Sequence, residues 1–213
     1  SYMARLELDH LVVSTEMLET GVSAIEALLG VPLDAGGKHD LMGTHNRVVR
    51  LGEGEYLEVI AIDPSVPPID GARWYGLDGF AGETRLTNWA ARSDSLEAAL
   101  MGLPPGTGTP LDLERGPFIW RMAVPDDGML PWAGLAPAAI QWISDDIPPN
   151  VLPDRGLRLT ALTIHHPEAT RIGRLLAKVI DDPRITVNGS AEEGTVPRLE
   201  AVIETPNGPV TLG

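Results

Sequence analysis

The 213-residue sequence contains no cysteine. That excludes disulfides, thiolate metal sites and a thiol nucleophile, and it agrees with a reducing compartment. The expected location is cytoplasmic. Aromatic residues are scarce, at 5%, so aliphatic side chains must supply most of the core. Positive charge is in deficit: 16 Lys and Arg against 30 Asp and Glu leave a net charge of −14. Such a surface repels phosphate backbones and anionic lipid, so neither nucleic acid nor a membrane is an expected partner. Long hydrophobic runs are missing too. The longest uncharged stretch, Met129 to Ser144, is interrupted by Pro131, Gly134 and Pro137, and is too short to span a bilayer. No secretory leader is visible, because charges appear early, at Arg5 and Glu7. There is no GxSxG elbow and no HExxH helix. Gly106 and Gly108 imitate a phosphate loop, but no strand leads in and no helix follows.

What is present has globular proportions, with 43% hydrophobic and 22% charged residues. The length suits a domain of two or three modules. Leu6 to Val13 reads as a strand, and Met17 to Leu29 as a helix by its 3.6-residue apolar spacing, stopped at Gly30. Gly36-Gly37 and Gly43 mark loops, and Arg47–Leu51 and Tyr56–Ile62 read as strands. A proline-rich stretch follows. The order then repeats. Leu86–Ala91 is a strand and Ser93–Met101 a helix. Gly102–Pro110 is a loop, and Phe118–Val124 and Ala138–Ile143 are strands. A third pass runs from the strand Leu159–Ile164 and the helix Pro167–Ile180 to strands at Ile185–Asn188, Arg198–Thr205 and Pro209–Leu212. The organisation predicted is α+β, with modules at 4–64 and 86–150, a linker at 65–85, and a third, partial module at 157–213.

The segments LDHLVV (8–13) and GTHNRVVRLGEGEYLEVIAIDP (43–64), followed by NWAARSDSLEAAL (88–100) and PDDGMLPW (125–132), resemble the glyoxalase-like domain family of the vicinal-oxygen-chelate superfamily. The resemblance covers about residues 6 to 150. It implies repeated βαβββ modules forming a curved mixed sheet around a small-molecule cavity, with helices on the outer face. It also implies metal ligands on the first and last strands of paired modules, and often a homodimer.

Carried over by position, His10 and Glu58 become ligands for one divalent metal, which the resemblance gives as Zn, Ni, Mn or Fe. Alternation puts Leu6, Leu8, His10 and Val12 on one face, and Tyr56, Glu58, Ile60 and Ile62 on one face. A carboxylate among apolar neighbours is costly unless paired or ligating. Without a metal, Glu58 or His45 becomes the general base. Aligning LTNWAA with LDHLVV puts Asn88 at the His10 position, and aligning AIQWIS with YLEVIA puts Gln141 at the Glu58 position. Both amides then bind ligand by hydrogen bonds. His45 is read as a loop residue beside Asn46 and Arg47, which could fix an anionic group. Arg121 could grip a carboxylate, and Trp120 could stack on a ring or pack in the core. RLEAVIETP aligns Glu200 with Glu58, while Ala161 leaves no partner in the first strand of that module. His165-His166 is read as structural. Two functions follow: a lyase, isomerase or dioxygenase type enzyme, or a metal-free protein that sequesters a small molecule.

Overall fold

The computed structural model describes residues 5–189 and 196–213. The first module comprises β1 (Glu7–Ser14), α1 (Leu18–Leu29), β2 (Asp34–His39), β3 (Thr44–Arg50) and β4 (Tyr56–Ile62). Gly30 ends α1 in the left-handed region at φ 71°, its N–H bonded to the Glu26 carbonyl. That conformation suits a residue without Cβ. The second module comprises β5 (Arg85–Arg92), α2 (Leu96–Gly102), β6 (Thr109–Arg115), β7 (Phe118–Val124) and β8 (Ala138–Trp142). A short helix, α3 (Pro148–Val151), leads to β9 (Arg158–His165), α4 (Ala169–Val179), β10 (Ile185–Asn188), β11 (Arg198–Thr205) and β12 (Gly208–Leu212). No helix among the described residues is long and apolar enough to cross a membrane.

Three local expectations change. Gly36 and Gly37 lie inside β2, which pairs with β3, rather than in a loop, and Asn46 and Arg115 approach that backbone too closely for a Cβ. Thr109–Arg115 is a strand, formed by pairing with β7 along its whole length. The stretch between the modules is partly a wall, since a 3-10 turn at Trp74–Gly79 buries Trp74, Tyr75 and Leu77.

The two modules join through antiparallel pairing of β1 with β5, giving one strongly curved eight-stranded sheet ordered β2-β3-β4-β1-β5-β8-β7-β6. Within each module the first and last strands run parallel. Curvature brings the end strands together: the Arg115 side chain of β6 lies against Gly37 of β2. The expected α+β fold of βαβββ modules is therefore present in residues 7–142.

The third segment keeps the element order but not the pairing. Its sheet is ordered β10-β9-β11-β12, with β9 parallel to its neighbour β10 and antiparallel to β11. In the first module the parallel partner of the first strand is the last one. The reading of a third copy is corrected accordingly, and Glu200 falls on a third strand, half-buried beside Arg198.

The core has two apolar bodies. The larger lies on the outer side of the eight-stranded sheet, where Leu11, Leu57 and Trp89 meet α1, α2 and the inner face of the third segment, including Ile164, Ile172 and Ile203. Each such buried side chain is worth about 1.5–3 kcal/mol. The smaller body fills the concave side, with Val12, Ile60, Trp74, Trp120, Met122 and Ile140.

One irregularity decides what faces inward. Pairing of β1 with β5 slips between Leu8 and His10, so Asp9 is an extra residue, a β-bulge. Leu6 and Leu8 therefore belong to the outer core, while Val12 belongs to the concave side, where His10 also faces. The expected common face for these four residues is wrong, because alternation restarts at the bulge. Arg92 secures it, donating to the Leu8 carbonyl at 3.1 Å and to Asp9 Oδ1 at 3.4 Å.

Candidate functional site

On the concave side the bulge delivers two neighbouring polar residues to one place. His10 Nδ1 meets Asp9 Oδ2 at 2.6 Å, and His10 Nε2 lies 3.4 Å from Glu58 Oε1. All three side chains are buried. Register explains the meeting, since β1 and β4 run parallel with Val12 beside Glu58 and His10 beside Tyr56. The Tyr56 ring stacks on His10 with centroids 4.6 Å apart. The Tyr75 hydroxyl lies 3.5 Å from His10 Nε2. Asn46 Nδ2 donates to Glu58 Oε2 at 2.8 Å. Asp9 Oδ1 accepts the Trp142 indole N–H at 2.9 Å.

The electrostatics follow from these contacts. Burial opposes a charged His10, but hydrogen bonds to Asp9 and Glu58, together with their charges, outweigh it and raise its pKa from 6.5 to about 9. Burial would push the Glu58 carboxyl up, yet the His10 hydrogen bond and charge hold it below its ordinary value. The pair is thus imidazolium and carboxylate at neutral pH. His39, nearby, has its pKa lowered by burial to about 4 and is neutral. Burial, then the Glu58 and Asp9 charges, keep the Tyr75 hydroxyl protonated. Trp74, Trp120, Trp142, Met122 and Arg115 close the remaining walls around a cavity of about 20 Å³, room for about one water.

The predicted residues divide sharply. His10, Glu58, Asn46 and Trp120 line this cavity. Asn88 is buried on the same concave face but lies elsewhere, its amide donating to the Gly134 carbonyl at 2.9 Å. It lines a separate cleft of about 490 Å³ between β5, the loop at 128–135 and the start of β11. Gln141 faces the outer side: its Oε1 accepts the Leu96 N–H at the start of α2, and its Nε2 donates to the Asp94 carbonyl. The reason is register. Val12 sits beside Glu58 in the first module and Ala90 beside Ala138 in the second, so the position matching Glu58 is Ala138. Arg121 also points outward, onto Glu97 at 2.6 Å and Gln141 at 3.2 Å. Arg47 is spent on the Leu33 and Asp34 carbonyls. His45 lies within β3, not in a loop, and alternates away from the inward-facing Asn46.

A divalent metal needs more than this set offers. The matching positions of the second module hold Asn88, engaged with Gly134, and Ala138, which has no donor. No group of three or more His, Asp or Glu among the described residues converges as metal ligands. The residues present do not fit a resident metal.

Sequence reasoning missed Asp9, His39, Tyr56, Tyr75, Trp74, Trp142 and Arg115. Strict alternation sends Asp9 to the face opposite His10. Tyr56 shares the Glu58 face by alternation but carried no chemical signal, Trp142 comes from β8, and the rest come from the end strands and the 3-10 turn, which no local pattern ties to β1. Tyr75 carries a further mark, a left-handed backbone at φ 58°, costly for a residue with a side chain.

No curated protein sequence matches the chain. The structure aligns with a hypothetical protein from Staphylococcus aureus at a TM-score of 0.61 and 16% identity, covering 97% of this chain and 84% of that one. A methylmalonyl-CoA epimerase from Streptomyces coelicolor aligns at 0.44 and 13% identity, over 70% of this chain and 100% of that one. One from Mycobacterium tuberculosis aligns at 0.41 and 17%, over 63% and 85%. At these identities the likeness concerns the fold. The sequence model of the glyoxalase-like domain matches residues 8–180. With its two βαβββ modules joined in one curved sheet, the chain belongs to the glyoxalase-like domain family.

Proposed function

We propose that this protein is a metal-independent acid–base enzyme acting on a small carbonyl compound, of the isomerase or lyase type. The observation that carries the reading is the buried Asp9–His10–Glu58 chain on the concave face. Ionisable groups with perturbed pKa values in one cavity are a hallmark of catalytic sites. Glu58 is the base that takes a proton from the carbon beside the carbonyl. The His10 imidazolium donates to the carbonyl oxygen as charge develops there, with the Tyr75 hydroxyl as a second donor. Asp9 keeps the His10 ring oriented and charged. Glu58 alone is a weak base, because His10 and Asn46 hold its pKa down. Substrate that draws His10 onto its own oxygen removes the larger of those restraints and raises the basicity of Glu58 in the same movement.

The test is hydrogen–deuterium exchange in D2O, followed by NMR at the carbon beside the carbonyl of hydroxyacetone and of pyruvate. Enzyme-dependent exchange, reduced about 10²-fold or more in Glu58→Gln, is expected for loss of a general base. Exchange no faster than in buffer for both compounds overturns the reading. The second reading is a protein that sequesters a small molecule without turnover. It is favoured by Ala138, which leaves the second module without a carboxylate partner. Its signature is ligand binding by the wild type with no exchange.

A further inference from the structure

Among the described arginines that are not fully exposed, Arg115 is without an ion pair or hydrogen bond. Arg47, Arg92, Arg121, Arg155, Arg158 and Arg184 all spend their guanidinium groups on carboxylates or carbonyls. Arg115 has no hydrogen bond or ion pair among the described residues, and its Nε is buried without a partner. Its side chain lines the same cavity as His10 and Glu58. A Cβ on Gly37 would stand 2.5 Å from its Cδ and 2.8 Å from its Nη1, so the glycine makes room for this arm. Its guanidinium carbon lies 5.4 Å from the centre of the Phe118 ring, which steadies the cation but satisfies none of its N–H groups.

An unpaired guanidinium presents five donors in a planar fork, the shape that carboxylates fill. Leaving it unpaired while partly buried is costly unless something supplies the counter-charge. The nearest protein carboxylate in the cavity, Glu58, is already engaged with Asn46 and His10. We propose that Arg115 binds the carboxylate of the substrate, and that the substrate class is small 2-oxo or 2-hydroxy carboxylic acids. This assignment rests on the acid–base reading above: Arg115 holds the carboxylate, and the neighbouring carbonyl or carbinol carbon falls between Arg115 and the Glu58–His10 pair. Access fits the same geometry. Arg115 lies on the seam between β6 and β2, where side chains rather than a backbone ladder close the half-barrel. Because the cavity as it stands holds about one water, substrate entry requires side chains at this seam to move.

Trp74, Trp120 and Trp142 line the cavity, so intrinsic fluorescence reports binding directly. Wild type, Arg115→Met and Arg115→Lys would be titrated with pyruvate and with its methyl ester, after thermal melts establish that each is folded. The expected result is a saturable response of wild type to pyruvate, at least tenfold weaker in Arg115→Met. The ester should bind weakly and equally to both. Arg115→Lys should fall between, since it keeps the charge and loses the fork; should Arg115→Met fail to fold, this variant alone decides. Equal pyruvate affinity in wild type and variants overturns the proposal, as does ester binding as tight as the acid, or no saturable response. The two readings fail separately. Arg115-dependent binding without isotope exchange removes catalysis and keeps the carboxylate site. Exchange of hydroxyacetone without pyruvate binding removes the carboxylate site and keeps catalysis.

Discussion

Asn46 ties Glu58 to the end strand of the sheet: its amide nitrogen donates to Glu58 Oε2 at 2.8 Å while its amide oxygen accepts the Gly37 N–H at 3.0 Å. The side chain that holds the carboxylate is thus itself held by the β2 backbone. A Cβ on Gly36 would collide with the Asn46 side chain and carbonyl. Gly36→Ala is therefore expected to destabilise by about 1–3 kcal/mol through overpacking. It should also lower isotope exchange by displacing Glu58. Denaturant unfolding and the exchange assay check both, and unchanged stability would mean β2 is looser than it stands here.

Removing the imidazole leaves the buried Glu58 carboxylate without a cation and Asp9 with Arg92 alone, at 3.4 Å. His10→Ala is expected to cost about 3–5 kcal/mol, as for breaking a buried ion pair. Glu58→Gln, which keeps shape and one hydrogen-bond acceptor, should cost less. Urea melts of the two variants at pH 7 would show the order, and the reverse order would overturn the charged-pair description.

Stability should vary with pH on both sides of neutrality. His10 has a folded pKa of about 9, above its ordinary 6.5. Its contribution is complete below pH 6.5 and is lost as pH rises through about 9. The span of the shift corresponds to roughly 3 kcal/mol. His39 is shifted the other way, to about 4, so it stays neutral in the folded protein while the unfolded chain takes up a proton, and stability falls as pH drops from 6.5 towards 4. Unfolding free energies from pH 4 to 10 should show both slopes. The alkaline slope should flatten in a His10→Gln variant.

Gln141 belongs to the frame of α2. Its Oε1 accepts the Leu96 N–H at 3.2 Å. Gln141→Leu should lose about 1 kcal/mol and leave isotope exchange and pyruvate binding as in wild type. An effect on exchange larger than on stability would place this residue in the cavity after all.

How much of this was legible follows from where the rules of strand geometry hold. In YLEVIAI every second residue faces inward, and Tyr56, Glu58 and Ile60 lie where alternation puts them. In LELDHLVV the same rule fails, because one extra residue at Asp9 restarts the count and no composition signal marks it. Gln141 was misplaced by matching letters, YLEVIA against AIQWIS, when the parallel register matches Glu58 with Ala138. Arg115 could not be seen at all. It reaches the site because the far ends of an eight-stranded sheet curve together, a property of the whole and not of any segment.

That closure has a consequence for the protein in a crowded solution. The two end strands, β2 and β6, keep backbone groups that no neighbouring strand among the described residues occupies, and such edges invite pairing with a second chain. Here the hazard is countered along both rims. Pro110 removes one donor from β6, and Asp112 and Glu114 line its outer face. Lys38 stands on β2, and the Arg115 arm spans the gap between them. The same arm that awaits an anion inside the cup stands between two sticky edges, so replacing it should be watched for turbidity as well as for affinity.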